Sequence, residues 1–130
     1  YVIAVADGMV VRSELGTVVL DLDGDGNERT GWTIFYLHLG TEGRAPLGLQ
    51  VKRGDPVGWP SCEGGRTTGT HVHIARKYNG EWIPADGPLA FNLDGWIAHN
   101  GSEPYLGTLT KGGLIVTACD CSDIYSLIRR

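Results

Sequence analysis

Three histidines raise the question of chemistry in this 130-residue chain: His38, and the closely spaced His71-Val72-His73. Residues two apart on a strand project to one face, so His71 and His73 point together while Val72 and Ile74 turn the other way, toward a core. The same rule puts Tyr36 and His38 on one face of a second apolar segment. Arg76 and Tyr78 are read as continuing the polar row of the histidines. Imidazole is a common zinc ligand and, near neutral pH, a common acid or base. From residue types alone, a three-histidine zinc site or catalytic cluster and a plain pair of surface histidines stand about level. His99, in Ala98-His99-Asn100-Gly101, reads as a solvated loop residue.

A second group is acidic. Asp21, Asp23, Asp25 and Gly26 follow the first half of a calcium loop, D-x-D-x-D-G. The twelfth position is Trp32, where an EF-hand requires Glu. The expectation is a solvated hairpin turn whose Asp and Gly suit the backbone, with a calcium ion at Asp21, Asp23 and Asp25 as the alternative. Trp32, Trp59, Trp82 and Trp96 read as core or groove-wall aromatics rather than a carbohydrate platform. The loop Glu63-Gly64-Gly65-Arg66-Thr67-Thr68-Gly69 reads as a glycine-rich approach to the histidine pair, with Arg66 placed to meet a carboxylate or simply solvated.

These groups need a scaffold, and the composition points to β-structure. Hydrophobic residues make up 42% and charged residues 20%, which supports a packed core rather than disorder. Twenty glycines and six prolines separate short apolar runs, as in strands joined by tight turns. Strands are expected over 2–5, 9–12, 17–20, 32–39, 49–51, 57–59, 71–78 and 82–83. Asn79-Gly80 marks a two-residue hairpin, and a last hairpin is expected over 105–110 and 114–118 about Lys111-Gly112-Gly113. Ile124, Leu127 and Ile128 behind Ser122 as N-cap suggest a short helix. The fold class is therefore all-β and antiparallel, with residues 89–130 as an irregular C-terminal extension packed on the same domain. A net charge of -4 gives no support to nucleic-acid binding, and no apolar run reaches the roughly 18 residues of a membrane span. Of the three cysteines, Cys119 and Cys121 look too close to bridge one another easily, so Cys62 is the expected partner of one of them, or a residue elsewhere pairs with it.

Several segments in fixed order add more. Val5-Ala6-Asp7-Gly8-Met9-Val10, Phe35-Tyr36-Leu37-His38-Leu39, Val51-Lys52-Arg53-Gly54-Asp55-Pro56-Val57-Gly58, Thr68-Gly69-Thr70-His71-Val72-His73-Ile74 and Tyr78-Asn79-Gly80 occur in that sequence. The series resembles the lysostaphin-type (LytM-type) zinc metallopeptidases, nearest the staphylolytic protease branch, over roughly residues 2 to 85. The resemblance implies a peptidase domain over 1–88, of the duplicated-hybrid-motif type, with a substrate groove across an antiparallel sheet. It implies one zinc ion, His73 as a metal ligand, and His38 and His71 as catalytic groups beside it. It also implies cleavage of bacterial cell-wall (peptidoglycan) peptides, in the cell envelope or outside the cell.

The family's other two zinc ligands lie in a His-x-x-x-Asp motif upstream of the Ala-Asp-Gly turn, and no such motif occurs in the 130 residues. The zinc would thus need ligands from outside this chain, from a preceding segment of the same protein, and the chain alone is expected to be inactive. Two other functions fit the same residues: a non-catalytic module that binds wall peptides or activates a partner, and a structural extracellular subunit.

Overall fold

The computed structural model describes residues 1–119, 121 and 123–128, with the side chain of Tyr125 left aside. The chain forms two compact units, Tyr1–Ile83 and the segment from Pro84 on.

The first unit is built on a six-stranded antiparallel sheet. In chain order its strands are β1 (Val2–Ile3), β2 (Gly8–Glu14), β3 (Thr17–Asp21), β4 (Trp32–Leu37), β5 (Gln50–Val51), β6 (Pro56–Gly58), β7 (His73–Tyr78) and β8 (Glu81–Trp82). The large sheet runs β5-β2-β3-β4-β7-β8, and β1 pairs with β6 separately. All five residues of β3 are buried, as the β-branched run Thr17-Val18-Val19 suits a central strand. Val18 and Leu20 join Ala4, Val10, Ile34, Tyr36, Leu39, Val51 and Val57 in the core. Each of the valine, leucine and isoleucine side chains contributes about 1.5–3 kcal/mol when fully buried.

Two turns pin each other at the sheet edge. The Asp7 carboxylate accepts a hydrogen bond from Arg53 N–H at 2.8 Å and pairs with Lys52 Nζ at 2.9 Å. The Arg53 amide and then Lys52 hold the Asp7 carboxyl below the usual range. Asn79 and Gly80 close the β7–β8 hairpin, both with positive φ (48° and 79°), as a two-residue Asn-Gly loop requires.

The second unit holds β9 (Asn92–Leu93), β10 (Trp96–Glu103), β11 (Leu106–Lys111) and β12 (Leu114–Thr117), in sheet order β12-β11-β10-β9. The expected hairpin about Lys111-Gly112-Gly113 is there, but this region carries more regular structure than its sequence pattern suggests. The added strand β10 contains Asn100-Gly101-Ser102, residues typical of turns. Its pairing with β11 shifts register between His99 and Glu103, and a Cβ on Gly101 would lie 1.3 Å from the Leu106 carbonyl oxygen. Glycine is thus required there by close backbone approach, not by a turn. A single 3-10 turn spans Ile124–Ser126, where a short helix was expected; the proposed Ser122 cap lies outside the described residues. Cys119 and Cys121 are bonded to each other, and Cys62 is free and exposed. The expected partnership of Cys62 with one of them is therefore not formed. Among the described residues no helix is long and apolar enough to cross a membrane.

Candidate functional site

The ladder between β4 and β7 sets the site. Leu37 pairs with His73, Tyr36 with Ile74, Ile34 with Arg76 and Trp32 with Tyr78. Alternation from His73 thus passes through Ala75 and Lys77. Arg76 and Tyr78 do not extend the histidine row as expected; they share the face of Ile74. There the Arg76 guanidinium stands 5.8 Å from the Trp32 ring centre, and the Trp32 and Tyr78 rings lie 5.0 Å apart.

Tyr36 is likewise not a partner of His38 on a polar face. It is 1% exposed in the core, and its hydroxyl accepts the Val5 N–H at 2.9 Å. Burial pushes its pKa up to about 12. Regular alternation would send His38 to that same core face. Instead β4 ends at Leu37, and His38 takes a left-handed backbone, φ 69°. Only a few per cent of non-glycine residues adopt a positive φ, with histidine among the types that do so more readily. Surrounding bonds hold it: Ser61 N–H donates to the His38 carbonyl at 2.7 Å, and Leu39 N–H donates to the Gly16 carbonyl at 2.9 Å. The kink brings the His38 ring to the His73 side of the sheet.

The three rings meet there. Centroid distances are 4.5 Å for His38–His71, 4.9 Å for His38–His73 and 4.7 Å for His71–His73. His38 is buried at 2% exposure, while His71 and His73 are half-buried. His71 lies just before β7, tied by a bridge to Ser61. Two backbone carbonyls then fix two tautomers. His38 Nδ1 lies 2.7 Å from the Glu63 oxygen and His71 Nδ1 2.8 Å from the Gly69 oxygen. A carbonyl can only accept, so each Nδ1 carries the proton and each Nε2 keeps its lone pair. This is the arrangement that a backbone carbonyl imposes on a metal-ligating histidine. His71 Nε2 and His73 Nε2 are 3.1 Å apart. Burial first, then repulsion from His71 and His38, lowers the His73 pKa and favours its neutral form.

Zinc fits this donor set. Zinc takes a neutral imidazole nitrogen as ligand, which His73 offers, and His71 Nε2 at 3.1 Å from His73 Nε2 would stand beside a metal held there. One ring nitrogen from each of the three histidines falls within 4.8 Å of the others.

The acidic trio also converges, and its oxygens lie within the same limit. Its bonding differs. Asp21, fully buried, accepts Asp23 N–H at 3.2 Å on one oxygen and Gly26 N–H at 2.8 Å on the other. Asp23 accepts Asp25 N–H at 3.2 Å, and Asp25 accepts Asn27 N–H at 2.8 Å and the Thr30 hydroxyl. These carboxylates build the turn. His99 is not a loop residue: it lies in β10, with Nε2 2.8 Å from the Thr110 hydroxyl and Nδ1 3.8 Å from Asp86. Arg66 is exposed, and Trp59 is 55% exposed with its ring edge-on to Tyr1.

Sequence reading missed Glu63 and Gly69 as the acceptors that orient the rings. Both act through backbone carbonyls, which leave no residue-type signal; the glycine-rich loop was the only available hint.

The architecture around this site is that of the M23, lysostaphin-like metalloprotease fold. A solved structure described as a novel M23 metalloprotease, pseudoalterin, from the deep sea is similar to this chain at a TM-score of 0.72 and 19% identity. The match covers 91% of this chain and 69% of that one. No protein-family model and no curated protein matches the sequence.

Proposed function

We propose that this chain carries part of the active site of a zinc metallopeptidase that cuts bacterial cell-wall peptides. The observation that carries the reading is the pair of carbonyl-anchored imidazoles, His38 and His71, with Nε2 lone pairs left to face His73. In this reading His73 is a metal ligand, and the remaining ligands come from a His-x-x-x-Asp segment outside these 130 residues. Zinc bound there would act as a Lewis acid on the scissile carbonyl and lower the pKa of water.

His71 and His38 do the proton work. His71 Nε2 accepts a proton from the attacking water and returns it to the leaving amine, the general acid–base role of an imidazole near neutral pH. His38, more deeply buried and tied on both its carbonyl and its Nδ1, holds a fixed second basic nitrogen beside the reacting atoms. The exposed glycine loop 63–69 lets a peptide backbone approach closely. The order of the sequence motifs supports a finer placing near the staphylolytic branch. The wall substrate implies a location in the envelope or outside the cell, and the Cys119–Cys121 bond is of a kind that persists in such oxidising compartments.

The test is digestion of purified peptidoglycan and short wall peptides by the full-length protein, with and without a chelator. Chelator-sensitive cleavage at a peptide bond is expected. Binding of wall peptides with no cleavage by the zinc-loaded protein would replace this reading with the non-catalytic module.

A further inference from the structure

Glu63 lies in an exposed loop, yet its backbone and side chain are held from several sides. Its carboxylate accepts Thr41 N–H at 2.8 Å and the Thr41 hydroxyl at 2.6 Å, and lies 3.7 Å from Arg44 Nη1. Arg44 is itself anchored: its side chain is 10% exposed, and Nη1 donates to the Leu39 carbonyl at 3.2 Å. Glu63 N–H donates to Ser61 Oγ at 3.0 Å, and Ser61 Oγ donates to the His38 carbonyl at 3.2 Å. The Thr41 hydrogen bonds hold the Glu63 carboxyl below its usual range, so it is ionised in this setting.

The β2–β3 turn closes the other side. A Cβ on Gly16 would stand 2.8 Å from the Glu63 carbonyl oxygen, and one on Gly64 would stand 2.5 Å from the Leu15 carbonyl oxygen. The Glu63–Gly64 peptide therefore has little room to shift. Its carbonyl meets His38 Nδ1 at 2.7 Å.

We propose that Glu63 is a positioning residue: its carboxylate, tethered by Thr41 and Arg44, fixes its own carbonyl on the His38 ring and so holds that imidazole as the Nδ1–H tautomer with Nε2 turned to His71 and His73. The inference rests on the reading of His38 as a proton-handling group, but the tautomer itself can be measured without turnover. A side chain that merely closes a loop would affect stability alone. A clasp on the ring affects which nitrogen carries the proton, and through it the chemical step rather than substrate binding.

The experiment uses the full-length protein with Glu63→Ala, Glu63→Gln and His38→Gln. Nitrogen-15 imidazole spectra report the His38 tautomer, and kinetics on a wall peptide report kcat and KM separately. The wild type is expected to show a single Nδ1–H species. Glu63→Ala is expected to mix the tautomers and to lower kcat by about 10–100-fold, the usual cost of losing an outer-shell partner, with KM nearly unchanged. Glu63→Gln keeps an acceptor for the Thr41 N–H and is expected to restore both. In a His38→Gln background, Glu63→Ala should cause no further loss of kcat. An Nε2–H wild type, an unmixed tautomer in Glu63→Ala, failure of Glu63→Gln to restore it, or an equal further loss without His38 would each overturn the proposal. If Glu63→Ala does not fold, Thr41→Val removes one donor alone and should give a weaker mixing; no mixing there overturns it as well. If the protein cuts no peptide, the tautomer measurement still decides this point, and the proposed function fails separately.

Discussion

The histidine trio and the aspartate trio of the first unit both gather three metal-capable side chains, and they differ in where their bonding capacity goes. In the histidine trio, backbone carbonyls occupy the far nitrogens of His38 and His71, and the near nitrogens are left facing the cluster. In the aspartate trio, the carboxylates accept backbone N–H groups of the turn itself, three of the four reaching the loop only two residues on. Spacing of two residues has opposite outcomes in the two cases. Beside a strand it lines side chains up on one face; in a tight loop it lets each side chain cap the next backbone amide. One cluster turns its ring nitrogens toward a shared centre, while the other mainly stabilises its own hairpin.

The largest test of this contrast is on the histidines. His71→Ala should lower kcat on a wall peptide by about 10²–10⁴-fold, the range for a lost general acid–base group, while metal analysis finds the zinc still bound. His73→Ala should remove the zinc along with the activity. Equal metal loss in both variants would make His71 a ligand and redraw the roles.

Next comes Asp21→Ala. It removes the buried carboxylate that accepts the Asp23 and Gly26 amides, and should cost about 1–3 kcal/mol of stability in urea unfolding, the scale of hydrogen bonds to a charged group, with kcat per folded molecule unchanged. A loss of activity at full stability would mean that the acidic hairpin shapes the site.

A smaller effect concerns acid. The Glu63 pKa is depressed in the folded protein below its ordinary 4.5. Its contribution to stability is therefore present above about pH 4.5 and lost as pH falls through the lower folded value. Glu63→Gln should flatten the acid limb of a plot of unfolding midpoint against pH, and an unchanged limb would show that the Thr41 tether does not favour the charged form.

The smallest expected change is with calcium. Millimolar calcium should leave the melting temperature where it is; a rise that Asp23→Ala abolishes would place the aspartates beside the histidines as an ion site.

Much of the first unit was legible in the sequence. The run Trp32-Thr33-Ile34-Phe35-Tyr36-Leu37 and the Asn79-Gly80 turn predict β4 and the β7–β8 hairpin because local propensity and fold agree there. The three histidines were legible as residue types, but their convergence was not derivable from alternation. Alternation puts His38 with Tyr36, and only the left-handed turn after Leu37 separates them. Strand β10 was hidden for the converse reason, since Asn100-Gly101-Ser102 looks like a turn until the tight approach of Leu106 is known. The Cys119–Cys121 bond escaped a spacing rule that describes typical bridges between separate segments.

The backbone at His38 also limits how this cluster can be transplanted. Copying three side chains onto another sheet would reproduce His71 and His73, but an extended residue at the third position would aim its ring through the sheet. A recipient scaffold needs a strand that stops one residue short, a φ near 69° at the next position, and an amide such as that of Ser61 to hold the reversed carbonyl. The portable unit is therefore the strand end with its clasping loop, not the set of imidazoles.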